Sequence, residues 1–237
     1  MKKIVVFDSG FGSLSVIREI RKIFKGELIY FADQKNFPYG EKSTPHLEKI
    51  IKDTINLLEE QFSPDFIIMA SNTPTLLLRH NLPRMSRKLA GIYPPLSDAV
   101  KISRTRNIAI LGTRSVIQSE SVTEFIEKCD VPNDIVIHKI DCSSLIELVE
   151  SGKFLTDKEY CKNVIKEILE DVFLDNLIDV ATLSSTHLPF LEPFLRSIFK
   201  NVKFLDPAKN IGNILKDFVE DNDLQQNVLR IFTSGDV

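Results

Sequence analysis

The chain has 237 residues, 43% of them hydrophobic and 27% charged, enough apolar side chain for one large domain or two small ones with their own cores. Its 30 Lys and Arg face 33 Asp and Glu, a formal net charge of −3, so no global positive field is present to hold a nucleic-acid backbone or an anionic membrane face. No apolar run approaches the roughly 18 residues needed to span a bilayer, and Met1-Lys2-Lys3 leads into a short apolar run that stops at Asp8, so a cytoplasmic protein is expected.

Three cysteines, Cys129, Cys142 and Cys161, show no Cys-x-x-Cys spacing, and His46, His80, His138 and His187 form no pair at ligand spacing. Neither a disulfide framework nor a metal site is expected.

The first apolar, β-branched run, Ile4 to Phe7, reads as a buried strand and opens into Asp8-Ser9-Gly10-Phe11-Gly12-Ser13. Two glycines after a strand suggest a dinucleotide turn, but Ser15 stands where the third glycine belongs, and no acidic residue is expected to close a second strand about twenty residues on. The plainer account is a tight turn in which glycine tolerates positive φ. Asp8 and Ser9 remain ligand candidates, because a carboxylate and a helix N-terminus together suit an ammonium and a carboxylate.

Leu28 to Phe31 forms the second run, followed by Asn36-Phe37-Pro38-Tyr39-Gly40, a loop by its proline and glycine. Leu47, Ile50, Ile51, Ile55, Leu58 and Phe62 keep the spacing of one helix face. Phe66 to Ala70 is the third strand, ending in Ser71-Asn72-Thr73. The turn-rich Gly91-Ile92-Tyr93-Pro94-Pro95 marks a domain boundary, since residues preceding proline are pushed out of helical geometry.

Ile108 to Leu111, opening into Gly112-Thr113, and Ile135 to Ile140 are the next strands. Asp157 to Phe173 reads as a helix through Val164, Ile165, Ile168, Leu169 and Val172, with Thr156 as its expected cap. Ile178 to Leu183 then runs into Ser184-Ser185-Thr186-His187, and Lys203 to Leu205 precedes a second boundary at Asp206-Pro207.

Alternating strand and helix implies an α/β fold with parallel sheets covered on both faces. A faint repeat divides the chain, each half ending its strands in small polar residues where open α/β sheets bind ligands. The expected architecture is two pseudo-symmetric doubly wound parallel-sheet domains with a cleft between them: residues 1–94 with 206–237, and residues 95–205.

Taken in order, several segments resemble the glutamate racemases and the wider aspartate/glutamate racemase superfamily. They are Val5-Val6-Phe7-Asp8-Ser9-Gly10, Tyr30-Phe31-Ala32-Asp33 through Pro38-Tyr39-Gly40, Ser71-Asn72-Thr73, Leu111-Gly112-Thr113 with Ser119, Thr186-His187-Leu188-Pro189, Asp206-Pro207-Ala208 and Phe232-Thr233-Ser234-Gly235-Asp236. The resemblance implies a small acidic amino acid or dicarboxylate as ligand, held by Asp8-Ser9, Tyr39-Gly40, Asn72-Thr73, Thr113 and Thr186-His187. It implies neither metal nor cofactor, and often a homodimer. In such racemases one cysteine on each side of the substrate acts in turn as base and acid at Cα.

Here those two positions are Ser71 and Ser185. A thiol ionises near 8.5, whereas an alcohol lies much nearer the roughly 15.7 of water. At about 1.36 kcal/mol per pKa unit, even part of that gap adds on the order of 5 kcal/mol to forming the base. Val116, Ser184 and Leu188 also depart from the family's usual threonine, glycine and tyrosine, while Glu150 matches an acidic position near the family's site and Cys142 a segment away from it.

Three readings follow. The chain is a cofactor-independent racemase-like isomerase working through Asp8 and His187, a non-catalytic binder of an amino acid or dicarboxylate on the racemase scaffold, or a hydrolase or decarboxylase in which His187 activates Ser71 or Ser185.

Overall fold

The computed structural model describes residues 1–219 and 228–235; Asp236 of the tail motif lies outside them. Nine strands run through the described residues: β1 (Lys3–Asp8), β2 (Glu27–Ala32), β3 (Phe66–Met69), β4 (Leu89–Gly91), β5 (Asn107–Gly112), β6 (Val136–Asp141), β7 (Val180–Leu183), β8 (Lys203–Leu205) and β9 (Val228–Thr233). They form two sheets, ordered β4-β3-β1-β2-β9 and β6-β5-β7-β8, and every pairing is parallel. The chain accordingly divides into two compact units, one built from Met1–Ile92 with the segment from Ala208 onward, the other from Tyr93–Pro207.

The repeat in the strand-end motifs is a repeat of topology. The order β2-β1-β3-β4 in the first sheet matches β6-β5-β7-β8 in the second, and β9 is an addition to the first. Each central strand is apolar on both faces because helices cover both. In the first unit Ile4, Val6, Leu28 and Tyr30 pack on one side with Val16, Ile17 and Ile20 of the helix Leu14–Ile23 and with Ile211 and Leu215. Val5, Phe7, Ile29 and Phe31 pack on the other side against Leu47, Ile51, Ile55 and Leu58 of the helix Thr44–Phe62. In the second unit Ala109, Leu111, Ala181 and Leu183 face Leu145, Ile165 and Leu195. Ile108, Ile110 and Val180 face Leu96 and Ala99. Each of these large side chains contributes about 1.5–3 kcal/mol by leaving water.

Four sequence expectations change. The cap of the helix Lys158–Asp175 is Asp157, whose carboxylate accepts from the Tyr160 N–H at 3.0 Å. Thr156 instead ends the preceding short helix, Lys153–Thr156, and a carboxylate at the positive end of a helix gains a dipole contribution that a hydroxyl lacks. Gly10 is extended, at φ −136°, so the turn after β1 does not use glycine's positive φ there. An acidic residue does follow the second strand, Asp33, directly after Ala32. Two strands, β4 and β9, stand where no strand was expected.

Candidate functional site

Parallel strands in register bring their C-terminal ends to one edge of each sheet, which is where loops gather functional groups. In the first unit β1 ends at Asp8, paired with Ala32 of β2, and β3 ends at Met69, paired with Phe7. Asp8, Ser9, Ser71, Asn72 and Thr73 therefore lie at one edge, and all are buried.

Asp8 and Ser9 are held to one another and to the next loop. The Ser9 N–H donates to Oδ1 of Asp8 at 2.7 Å, and the Ser9 hydroxyl oxygen accepts from the Tyr39 N–H at 3.4 Å. That second bond brings Tyr39 and its neighbour Gly40 to the end of β1, through a loop whose Phe37–Pro38 peptide is cis. The Tyr39 hydroxyl donates to Oδ2 of Asp33 at 2.9 Å. Burial, followed by the charges of Asp33 and Asp8, pushes the Tyr39 phenol well above its ordinary range.

Asp33 was absent from the candidates read from sequence. Its carboxylate, 2% exposed, also accepts from the Nδ2 of Asn36 at 2.9 Å and 3.0 Å, from Oγ1 of Thr54 at 3.3 Å and from Oγ of Ser234 at 2.8 Å. Its oxygens are committed to this frame, so the acidic residue after β2 does not revive the dinucleotide reading, which needs a carboxylate open to a ribose.

Ser71 precedes the short helix Asn72–Leu77 in extended backbone, and its carbonyl accepts from the Thr75 hydroxyl at 2.6 Å. Thr75 in turn lies against Gly91 of β4, where an added Cβ would sit 2.5 Å from the Thr75 hydroxyl. The Asn72 side chain donates through Nδ2 to the Ile92 carbonyl at 2.7 Å, which fixes the orientation of its amide. Its Oδ1 is buried without a hydrogen-bond partner. A buried acceptor without a donor costs about 1–3 kcal/mol, which a ligand's N–H would recover.

The second unit repeats the arrangement. Gly112 ends β5, and Thr113, half-buried, shares a 3.1 Å hydrogen bond between its hydroxyl and that of Ser115. After β7 the Ser184 hydroxyl turns inward to Thr182 at 2.8 Å. Ser185, Thr186 and His187 follow, all buried. Nδ1 of His187 lies 3.4 Å from Oγ of Ser185, while its Nε2 pairs closely with Oε1 of Glu150 at the end of the helix Ser143–Glu150. Val116 and Leu188 are wholly buried, so the departures at these two positions are accommodated as core.

None of the three cysteines is at position 71 or 185. Cys142 and Cys161 lie in the core of the second unit, and burial pushes the Cys142 thiol far up. Cys129 packs at the opposite face of that sheet, half-buried. Among the described residues, no three His, Cys, Asp or Glu side chains come together as a metal site, and no helix is long and apolar enough to cross a membrane.

The fold and the strand-end groups define a protein of two parallel α/β units, each carrying small buried polar side chains just after the C-terminal ends of its strands. No family model matches the chain. The glutamate racemase of Sulfurihydrogenibium sp. is 31% identical over 217 residues, covering 90% of this chain and 81% of that protein. An isoform of glutamate racemase from Bacillus anthracis superposes with a TM-score of 0.87 at 27% identity, covering 100% of this chain and 90% of that one. The Escherichia coli glutamate racemase, solved in complex with L-glutamate and an activator, gives a TM-score of 0.85 at 24% identity, covering 100% and 90%. The chain belongs to the glutamate racemase family.

Proposed function

We propose that this protein binds a small acidic amino acid, glutamate or aspartate, at its polar strand ends and does not racemise it by the cysteine-pair route. The observation that carries the reading is Oδ1 of Asn72, a buried acceptor held in a fixed direction with no hydrogen-bond partner. An α-ammonium group supplies the missing donor. Asp8, buried beside Ser9, is the group that favours a cation there, and the Ser9, Tyr39-Gly40 and Thr73 segment supplies hydrogen-bonding groups for carboxylates. Thr113, Thr186 and His187 are the corresponding groups of the second unit.

The lost step follows from chemistry. Ser71 and Ser185 carry hydroxyls, each far from an operating pH as a base for a Cα proton. Binding groups that remain while proton-transfer groups change describe a recognition site.

Isothermal titration of the purified full chain with L-glutamate and L-aspartate tests the reading. Binding by one of them is expected, with affinity falling about tenfold or more in Asn72→Leu, in line with the loss of a charge-assisted hydrogen bond worth ~1.5–3 kcal/mol. No heat with either ligand at millimolar concentration, together with no change in melting temperature, would overturn it.

A further inference from the structure

We infer that Ser185 is a nucleophilic serine, activated through His187 and Glu150 for attack on the acyl carbon of a small carboxylic ester. The inference goes beyond the binding reading and does not depend on it, since it rests on three side chains of the second unit alone.

The geometry is a relay. Glu150 Oε1 pairs with Nε2 of His187, and Nδ1 of the same ring faces the Ser185 hydroxyl at 3.4 Å. A carboxylate accepts the Nε2 proton and so selects the tautomer whose Nδ1 lone pair points at Ser185. The backbone N–H of His187 donates to the same Ser185 oxygen, also at 3.4 Å, which leaves the hydroxyl proton directed toward the imidazole. Nucleophile, base and a third group orienting the base are the parts an activated alcohol needs, and such contacts are commonly longer in the absence of substrate. All three groups are largely withdrawn from water, the side chains of His187 and Glu150 being 8% and 16% exposed, which strengthens the relay electrostatically.

Spacing alone did not reveal this. Ser185 and His187 lie two residues apart after β7, but Glu150 arrives from a helix 37 residues earlier. The same alcohol that cannot take a proton from Cα is a competent nucleophile once a base removes its own proton.

In the reaction the Ser185 oxygen bonds to the ester carbonyl carbon as its proton passes to Nδ1 of His187. Collapse breaks the carbon–oxygen bond to the leaving alcohol, which takes that proton, and leaves an acyl-serine. Water then gives a proton to His187 and attacks the acyl carbon. The bond to Ser185 breaks, releasing the acid and restoring the hydroxyl, so that ester and water give acid and alcohol.

The test is reaction of the full chain with a small fluorophosphonate, read by intact mass and peptide mapping. One adduct on Ser185 is expected, formed as the serine oxygen bonds to phosphorus and fluoride leaves. It should be absent in Ser185→Ala and about 100-fold slower in His187→Gln, the scale of a lost general base. Glu150→Gln should slow labelling about tenfold and, in the ¹⁵N spectrum of the His187 ring, convert a single Nε2-protonated tautomer into a mixture, a change that a merely structural role would not produce. No adduct on Ser185 after a day at millimolar reagent overturns the proposal, as does an undiminished rate in folded His187→Gln. If that variant does not fold, an Nδ1-protonated neutral His187 in the unaltered protein is equally decisive against it.

Discussion

The hydroxyl of Ser234 donates to Oδ1 of Asp33 at 2.8 Å, joining residues 201 apart in the chain. The other carboxylate oxygen receives the Tyr39 and Thr54 hydroxyls. Asp33 is thus the point where the end of β2, the Pro38-Tyr39-Gly40 loop, the helix Thr44–Phe62 and the end of β9 are fastened together. It positions Tyr39 and is not itself among the residues proposed to hold the ligand.

Asp33→Ala removes an acceptor from several buried donors at once. With hydrogen bonds to a charged group worth ~1.5–3 kcal/mol each and partial relaxation of the donors, a loss on the order of 3 kcal/mol is expected. Thermal unfolding should show it as a midpoint lowered by roughly 10 °C. Ser234→Ala removes one bond and should cost about 1 kcal/mol.

The Tyr39 phenol gives a pH dependence of known sign. Its ionisation is raised in the folded state by burial and by Asp33 and Asp8. The unfolded chain therefore loses this proton first, at about pH 10. The stability contributed by the neutral phenol is fully present below that pH and falls as pH rises toward the folded-state value. Urea unfolding at pH 8 and pH 11 should show the native protein losing more stability between the two than Tyr39→Phe, although the variant is weaker by about 1–2 kcal/mol at pH 8.

Thiol reactivity separates the cysteines by burial. Cys142 and Cys161 are fully buried and Cys129 is half-buried. A disulfide reagent at pH 8 should modify Cys129 alone in the native protein and all three after denaturation, because only an accessible thiolate reacts. Rapid native reaction at Cys142 would place a usable thiolate next to the β6 end and reopen cysteine chemistry.

Gly91 permits the close approach of Thr75, and Thr75 fixes the carbonyl of Ser71. Gly91→Ala should displace Thr75, cost about 1–3 kcal/mol as an overpacked site, and weaken ligand binding more than a change of equal cost far from the strand ends. Comparing its ligand affinity with that of Asp33→Ala and a distant core variant such as Leu169→Ala separates the local effect from general softening.

Much of the fold was legible because buried parallel strands are short apolar runs, and β1, β2, β3 and β5 to β8 all fall on such runs. β4 escaped notice because three residues, Leu89-Ala90-Gly91, carry no period. β9 escaped because an edge strand is largely exposed and its Arg230 and Thr233 dilute the apolar pattern. At the site, Asp8, Ser9, Asn72 and Thr73 were readable as polar residues at strand ends. Asp33 was not, since its value lies in four side chains that donate to one carboxylate, Asn36 and Tyr39 from the following loop, Thr54 from a helix and Ser234 from the far end of the chain. The pairing of Glu150 with His187 was likewise beyond the reach of spacing, because it depends on how a helix packs against the loop after β7.

Proton NMR of L-glutamate with the protein in heavy water reads, in one sample, both the proposed recognition of an acidic amino acid and the absence of cysteine-pair proton transfer. Saturation transferred from protein to glutamate protons, with the Cα–H signal undiminished over many hours, is the predicted result. Loss of the Cα–H signal with appearance of D-glutamate, or no saturation transfer to glutamate and none to aspartate in its place, would contradict it.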